Sequence, residues 1–203
     1  MHIAIIGASG RQGSRILNEA ADRGHTVTGI ARDASKIPSR AGVVAKAGDI
    51  NDPGSVAPVL AGHDAVISSV RFVQTNAANV LRAVKQAGVK RLLVVGGASS
   101  LEVSPGVRLI DAPGFPEAAR PEAQAGIAFL DAIKNERELD WVFVSPGALL
   151  QPGERRGKYR LGQDTLLKDE SGKSGISMED FAIAMVDELE NQKHSRTRFH
   201  VAY

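Results

Sequence analysis

The chain has 203 residues, a formal net charge of +2, 43% hydrophobic and 24% charged residues, and no cysteine. That length suits one domain with a sizeable core. The charge is too small to recommend nucleic acid or a membrane surface as a partner. The lack of cysteine excludes disulfides, thiolate nucleophiles and cysteine-based metal sites. Aromatic residues make up only 4%, so aliphatic side chains must fill the core.

No apolar run approaches the ~18 residues of a membrane span. Ile3-Ala4-Ile5-Ile6 is cut short by Gly7 and has no basic region before it, unlike a signal peptide. A cytoplasmic protein, with no membrane and no nucleic acid as partner, is the expectation.

Strand and helix signals alternate from the start. His2 to Ile6 reads as a buried strand. A glycine-rich turn follows and opens a helix whose Ile16, Leu17 and Ala20 share a face and which Gly24 ends. Thr26–Ala31 and Val43–Ala47 read as strands, and Pro53–Leu60 as a short helix with proline at a tolerated first-turn position. Ala65–Val70 is the fourth strand, Asn76–Gln86 a helix closed by Gly88, and Arg91–Val95 the fifth strand, ending at Gly96-Gly97. Glu122–Asn135 is a helix carrying Ile127, Leu130 and Ile133, and Trp141–Val144 the sixth strand. Parallel neighbours need crossovers, so this alternation predicts a parallel sheet with helices on both faces.

After Ser145 the rhythm breaks. Residues 146–176 are rich in glycine, proline and charge, with only strand-like pieces such as Thr165–Lys168. The segment is expected to cover the carboxyl ends of the strands, where open α/β sheets bind ligands. Ser177 then caps a helix near Asp180, with Met178, Phe181, Ala182, Met185, Val186 and Leu189 as one apolar stripe. Arg198–Tyr203 reads as a final edge strand. No linker divides the chain.

The strongest chemical signal is Gly7-x-x-Gly10-x-x-Gly13, after a predicted strand and opening a predicted helix. A dinucleotide pyrophosphate needs backbone N–H groups at a helix N-terminus and no Cβ where the backbone approaches it. A single doubly wound, Rossmann-type α/β domain binding a nicotinamide dinucleotide is therefore expected, with Ser9, Arg11 and Gln12 joining the glycines around the pyrophosphate.

An acid at the end of the second strand, about 20 residues past the glycines, usually bonds the ribose 2′-OH. Arg32 stands in that zone, and its fork of donors suits a 2′-phosphate. NADP(H) is thus favoured over NAD(H). Asp33 is the competing reading, although Ser35 after it suggests a turn or cap.

The GxxGxxG spacing, begun in the stretch Ile3–Gly10 and completed by Gly13, resembles the atypical and extended short-chain dehydrogenase/reductases. Together with Gly48-Asp49-Ile50, Gly62–Ser68, Gly96–Leu101, Asp140–Ala148 and Gly157–Leu161, the whole chain is similar to the NAD(P)H-binding, NmrA-like branch that holds NADH-flavin and flavin/biliverdin reductases. The resemblance implies that Asp49 and Ile50 frame the adenine, and that Ser68, Ser69 and Val70 border the ribose and nicotinamide. It implies further that Gly97 and Pro146 flank the cofactor and that Ser99 lies beside the substrate, as the candidate catalytic residue. Arg71, Phe72, Phe115 and Tyr159 are candidates for the substrate wall.

One absence matters. The acid/base pair Tyr-x-x-x-Lys is missing: Tyr159 is followed four residues later by Gln163, and Tyr203 is the last residue. Alcohol dehydrogenation by a tyrosine acid is therefore not expected. Hydride transfer to a flavin or another flat small-molecule acceptor, such as a quinone or tetrapyrrole, needs no protein acid, because the cofactor carries the hard chemistry. The alternative is a non-catalytic NADP(H)-binding redox sensor acting through a protein partner. The five histidines lack the i, i+4 spacing of helical metal pairs, and each reads as exposed or locally hydrogen-bonded. No serine sits in a Gly-x-Ser-x-Gly elbow. A monomer or homodimer is expected.

Overall fold

The computed structural model describes residues 1–203. In chain order the elements are β1 (His2–Ile6), α1 (Arg11–Asp22), β2 (Thr26–Ala31), β3 (Val43–Ala47), α2 (Pro53–Leu60), β4 (Ala65–Ser68), α3 (Ala77–Gln86) and β5 (Arg91–Val95). A small hairpin follows, β6 (Glu102–Ser104) and β7 (Val107–Arg108), then α4 (Arg120–Ile133) and β8 (Asp140–Pro146). The last third holds β9 (Leu149–Gln151), β10 (Arg160–Gly162), β11 (Gly175–Ser177), α5 (Met178–Asn191) and β12 (Thr197–Ala202).

Eight strands form the central sheet, in the order β10-β12-β8-β5-β4-β1-β2-β3. Every pairing is parallel except β10 with β12. The order runs outward from β1 to β3 on one side and from β4 to β12 on the other, so the direction of winding reverses between β1 and β4. That reversal opens a crevice at the carboxyl ends of the strands, where such sheets bind ligands. No helix is long and apolar enough to cross a membrane.

The two-residue period of the strands builds two cores. Ile3 and Ile5 of β1 face α1 and α5, with Ile16, Leu17, Phe181, Met185 and Leu189. Ala4 and Ile6 face the other layer, with Leu60, Val80, Val84, Phe129 and Ile133 of α2 to α4. The predicted stripe on the last helix is this packing surface. Its cap also forms as expected: the Ser177 hydroxyl accepts from the Asp180 N–H at 3.0 Å.

Two expectations for the carboxyl third are corrected. The last strand is not at the edge: β12 lies between β8 and β10, with Val201 and Ala202 fully buried. The edge is β10, three residues whose exposed Leu161 sits between Arg160 and Gly162, too short for a periodic signal. Thr165–Lys168 forms no strand; only Thr165 makes an isolated bridge, to Glu102.

Nor does any residue of the segment 146–176 line the cavity in that crevice. Its Gly153 and Gly157 N–H groups donate to Glu179 and Asp180 of α5, each at 2.8 Å, and Arg155 reaches Glu19 of α1 at 2.9 Å. Acidic groups at the start of α5 and along α1 thus draw this loop onto their own side of the sheet.

His200, read as exposed or locally bonded, is instead fully buried on β12, with Nδ1 3.0 Å from the Ser145 carbonyl oxygen. Burial pushes its pKa below the ordinary 6.5, and Arg198 and Arg160 add to the shift. A histidine that refuses its proton when folded stabilises the fold above its unfolded pKa. That contribution is lost as pH falls from about 6.5 toward the folded value. Thermal unfolding between pH 5 and 7.5 should show a steeper acid-side loss for the wild type than for His200→Asn. Parallel curves would refute this.

Candidate functional site

A cavity of about 430 Å³ occupies the crevice. Each of the first five sheet strands in chain order contributes its carboxyl end: Ile6 and Gly7 after β1, Arg32 after β2, Asp49 and Ile50 after β3, Ser69 to Phe72 after β4, and Gly96 after β5. The N-terminus of α1 enters from one side through Ser9, Gly10, Arg11 and Gln12.

The three glycines have different physical reasons. Gly7 has φ +84°, and a Cβ there would lie 2.4 Å from the Ser69 carbonyl oxygen. A Cβ on Gly13 would lie 2.1 Å from the Gly7 carbonyl oxygen. These two let the turn fold against itself and against the end of β4. Gly10 is freer: only the Gly7 carbonyl oxygen comes near, at 3.1 Å. It is the N-cap of α1 and no side chain caps it. The first N–H groups of α1 therefore open toward the cavity with the positive end of the helix dipole, as an anion site requires.

The side chains add positive charge. Arg11 and Arg32 are both exposed at the cavity. The acid beside Arg32 is occupied elsewhere: Asp33 accepts from the Ser35 N–H at 3.1 Å and its hydroxyl at 2.6 Å, capping the short turn Ala34–Lys36. The Ser35 bonds hold the Asp33 carboxyl below its usual range. The cap reading of Asp33 thus matches the geometry. Asp49 receives the Asn51 N–H at 3.0 Å.

Gln12 behaves differently from its neighbours. Its side chain is 8% exposed and its amide donates to the Met178 carbonyl oxygen at 3.0 Å, tying α1 to α5.

Of the residues singled out in the sequence, the structure brings Gly7, Ser9, Gly10, Arg11, Gln12, Arg32, Asp49, Ile50, Ser69, Val70, Arg71 and Phe72 to one cavity. Gly13 and Ser68 lie just beneath it, Ser68 buried at the end of β4. Gly97 follows the lining residue Gly96, which itself is required by packing, since a Cβ there would overlap the Phe143 ring at 2.4 Å.

Others stand apart. The Ser99 carbonyl oxygen accepts from Ile110 at 3.0 Å in the loop after β5. Pro146 is buried at the end of β8, opposite Val201. Phe115 lies under the Arg120 guanidinium at 5.4 Å. The Tyr159 phenol donates to Asp187 on α5, and burial together with that carboxylate pushes its pKa up. Neither Phe115 nor Tyr159 lines the cavity, because each is held by a charged partner on another surface.

Sequence reading missed Asn51, Gln74, Glu122 and Met178, which also line the cavity. Asn51 donates to the Gln74 carbonyl oxygen at 2.8 Å. Glu122 accepts from the backbone N–H of Phe72 at 2.7 Å. A polar residue that serves a distant backbone leaves no local pattern. The one available signal was the i, i+4 pair Glu122 and Gly126, a carboxylate and a gap on one face of α4.

The sequence profile of the NAD(P)H-binding family matches residues 7–192, which span the phosphate turn, the cavity and α5. The chain belongs to this family. YwnB of Bacillus subtilis (strain 168) is 38% identical over 211 residues, covering 99% of this chain and 98% of that protein. A candidate epimerase from Bacteroides thetaiotaomicron is 44% identical with a TM-score of 0.93, covering 100% of this chain and 96% of the other. A candidate NADH-flavin reductase from Streptococcus pneumoniae TIGR4 is 34% identical with a TM-score of 0.87, covering 100% and 99%. The family member described here thus has the Rossmann-type parallel sheet of an NAD(P)H-binding domain.

Proposed function

We propose that this NAD(P)H-binding protein is a cytoplasmic, NADPH-dependent reductase, monomeric or homodimeric, that passes a hydride to a flavin or another flat acceptor. The observation that carries the reading is the cavity itself. It joins an uncapped helix N-terminus and two exposed arginines to the ends of β4 and β5, and neither tyrosine lines it. When bound, the reduced nicotinamide supplies the hydride. The chain's own part is to bind and orient. The α1 N-terminus and Arg11 hold the pyrophosphate, Arg32 the 2′-phosphate, and Asp49 with Ile50 the adenine. Ser69 and Val70 shape the nicotinamide side, with Ser68 and Gly97 next to lining positions, while Ser99 and Pro146 stand outside the cavity. The likeness to the Streptococcus protein supports a flavin as acceptor. Epimerisation, which the name of the Bacteroides protein suggests, is not favoured by a tyrosine acid/base group here, since neither tyrosine lines the cavity.

NADPH oxidation followed by near-UV absorbance, with FMN, riboflavin and a simple quinone, tests this. Saturable turnover supports the reductase. Tight NADP(H) binding without turnover would favour the redox-sensor alternative.

Arg32→Ala checks the cofactor assignment. Losing charge-assisted bonds to a phosphate should weaken NADPH binding about 10- to 100-fold, with NADH binding within about twofold of wild type. Equal losses for both would remove Arg32 from the 2′-phosphate.

A further inference from the structure

The cavity wall formed by residues 71–75 is held from two sides. Glu122, in the first turn of α4, accepts from the Phe72 N–H at 2.7 Å and the Val73 N–H at 3.2 Å. One turn later Gly126 makes room for the Phe72 ring, which would lie 2.9 Å from a Cβ there. On the opposite side Asn51 grips the Gln74 carbonyl oxygen at 2.8 Å and is itself held by Asn79 at 3.1 Å. The turn is therefore a rigid platform, and Arg71 begins it.

The Arg71 side chain is 67% exposed, with its Nε 3.5 Å from Glu122 Oε2. Glu122 already accepts two backbone bonds and lies within ion-pair distance of the Arg71 Nε. The Arg71 side chain remains largely exposed and lines the cavity. Arg11 and Arg32 belong to α1 and the end of β2, whereas Arg71 follows β4, across the point where the winding reverses. The phosphates of a dinucleotide are accounted for by the first two arginines and the helix N-terminus. The third cation is left for the second reactant.

We propose that Arg71 anchors a phosphate group on the acceptor, with Glu122 as the positioning residue that sets its guanidinium. This rests on the reductase reading above and narrows its acceptor to a flat ring whose side chain ends in phosphate, as in FMN. A guanidinium fork meets two phosphate oxygens at once, which a neutral side chain cannot do.

The test compares FMN with riboflavin, the same ring without phosphate, by quenching of flavin fluorescence on NADP⁺-saturated protein. Wild type should bind FMN about 10- to 100-fold more tightly than riboflavin, the range for hydrogen bonds to a charged group. Arg71→Gln should collapse that ratio by about tenfold or more, leaving riboflavin and NADP⁺ affinities within about twofold. Arg71→Lys should restore part of it, as a point charge without the fork. Glu122→Gln should lower the ratio in the same direction but less. Inorganic phosphate should compete with FMN and not with riboflavin. In turnover, Arg71→Gln should raise KM for FMN with kcat unchanged.

An FMN to riboflavin ratio near one, or one unmoved by Arg71→Gln, overturns the anchor while the reductase stands. Weakened NADP⁺ binding in that variant, with the flavin ratio unchanged, assigns Arg71 to the cofactor and also overturns it. Wild-type protein that binds no NADP⁺ overturns the reductase reading and the anchor together.

Discussion

Gly13→Ala should cost the protein its dinucleotide site. The new Cβ would lie 2.1 Å from the Gly7 carbonyl oxygen and 2.9 Å from the Gly7 carbonyl carbon. Both are backbone atoms, so no side chain can swing aside. Either α1 or the turn must move, and the open N–H groups at the start of α1 lose their aim. Overpacking of this kind destabilises by about 1–3 kcal/mol. Dinucleotide affinity should fall by at least about tenfold, since the loss of even one charge-assisted bond accounts for that much.

Gly10→Ala is the control. Its Cβ meets only the Gly7 carbonyl oxygen, at 3.1 Å, and Gly10 lines the cavity. It should keep a near-wild-type Tm while weakening NADPH. Calorimetric titration and thermal unfolding of the two variants separate the roles. A Gly13→Ala protein with unchanged Tm and unchanged NADPH affinity would defeat this account of the turn.

The second large effect is expected at the opposite end of the sheet. Arg91 begins β5 and is 5% exposed. Its Nη2 lies 2.6 Å from Glu188 of α5, and its Nη1 reaches Asp140 of β8 at 2.7 Å and the His194 carbonyl oxygen at 2.8 Å. Glu188, 4% exposed, also binds His194 through Nδ1 at 2.6 Å and the backbone N–H at 3.0 Å. One ion pair thus pins the turn between α5 and β12, where Gln192 and Arg196 adopt positive φ.

Glu188→Ala would leave the guanidinium buried with only the partly exposed Asp140 to balance it. Removing one partner of a buried pair costs about 3–5 kcal/mol. For a domain of this size that lowers Tm by about 6–20 °C. The double variant Arg91→Leu/Glu188→Leu should recover part of the loss, because the buried charge itself is gone. NADPH affinity should stay near wild type at temperatures where the variant is folded, since the cavity lies at the other ends of the strands. A Glu188→Ala protein as stable as wild type would show that the pair adds nothing.

Much of the architecture follows from local sequence. Ile3 to Ile6 alternate between two cores, the glycine turn marks the passage from β1 to α1, and Ser177 caps α5, because each depends on residues within a few positions of one another. The same locality made the glycine turn legible, and Arg32 and Asp49 at the strand ends line the cavity with it. What the sequence could not decide were contacts between distant segments. Glu122 serves the backbone of Phe72, 50 positions away, and His200 is buried against Ser145, 55 positions away. Tyr159 and the loop around it are tied to α5 by Asp187, Glu179 and Asp180. Single carboxylates that satisfy remote N–H or O–H donors leave no periodic trace. Only the folded sheet brings them within 3 Å of what they hold.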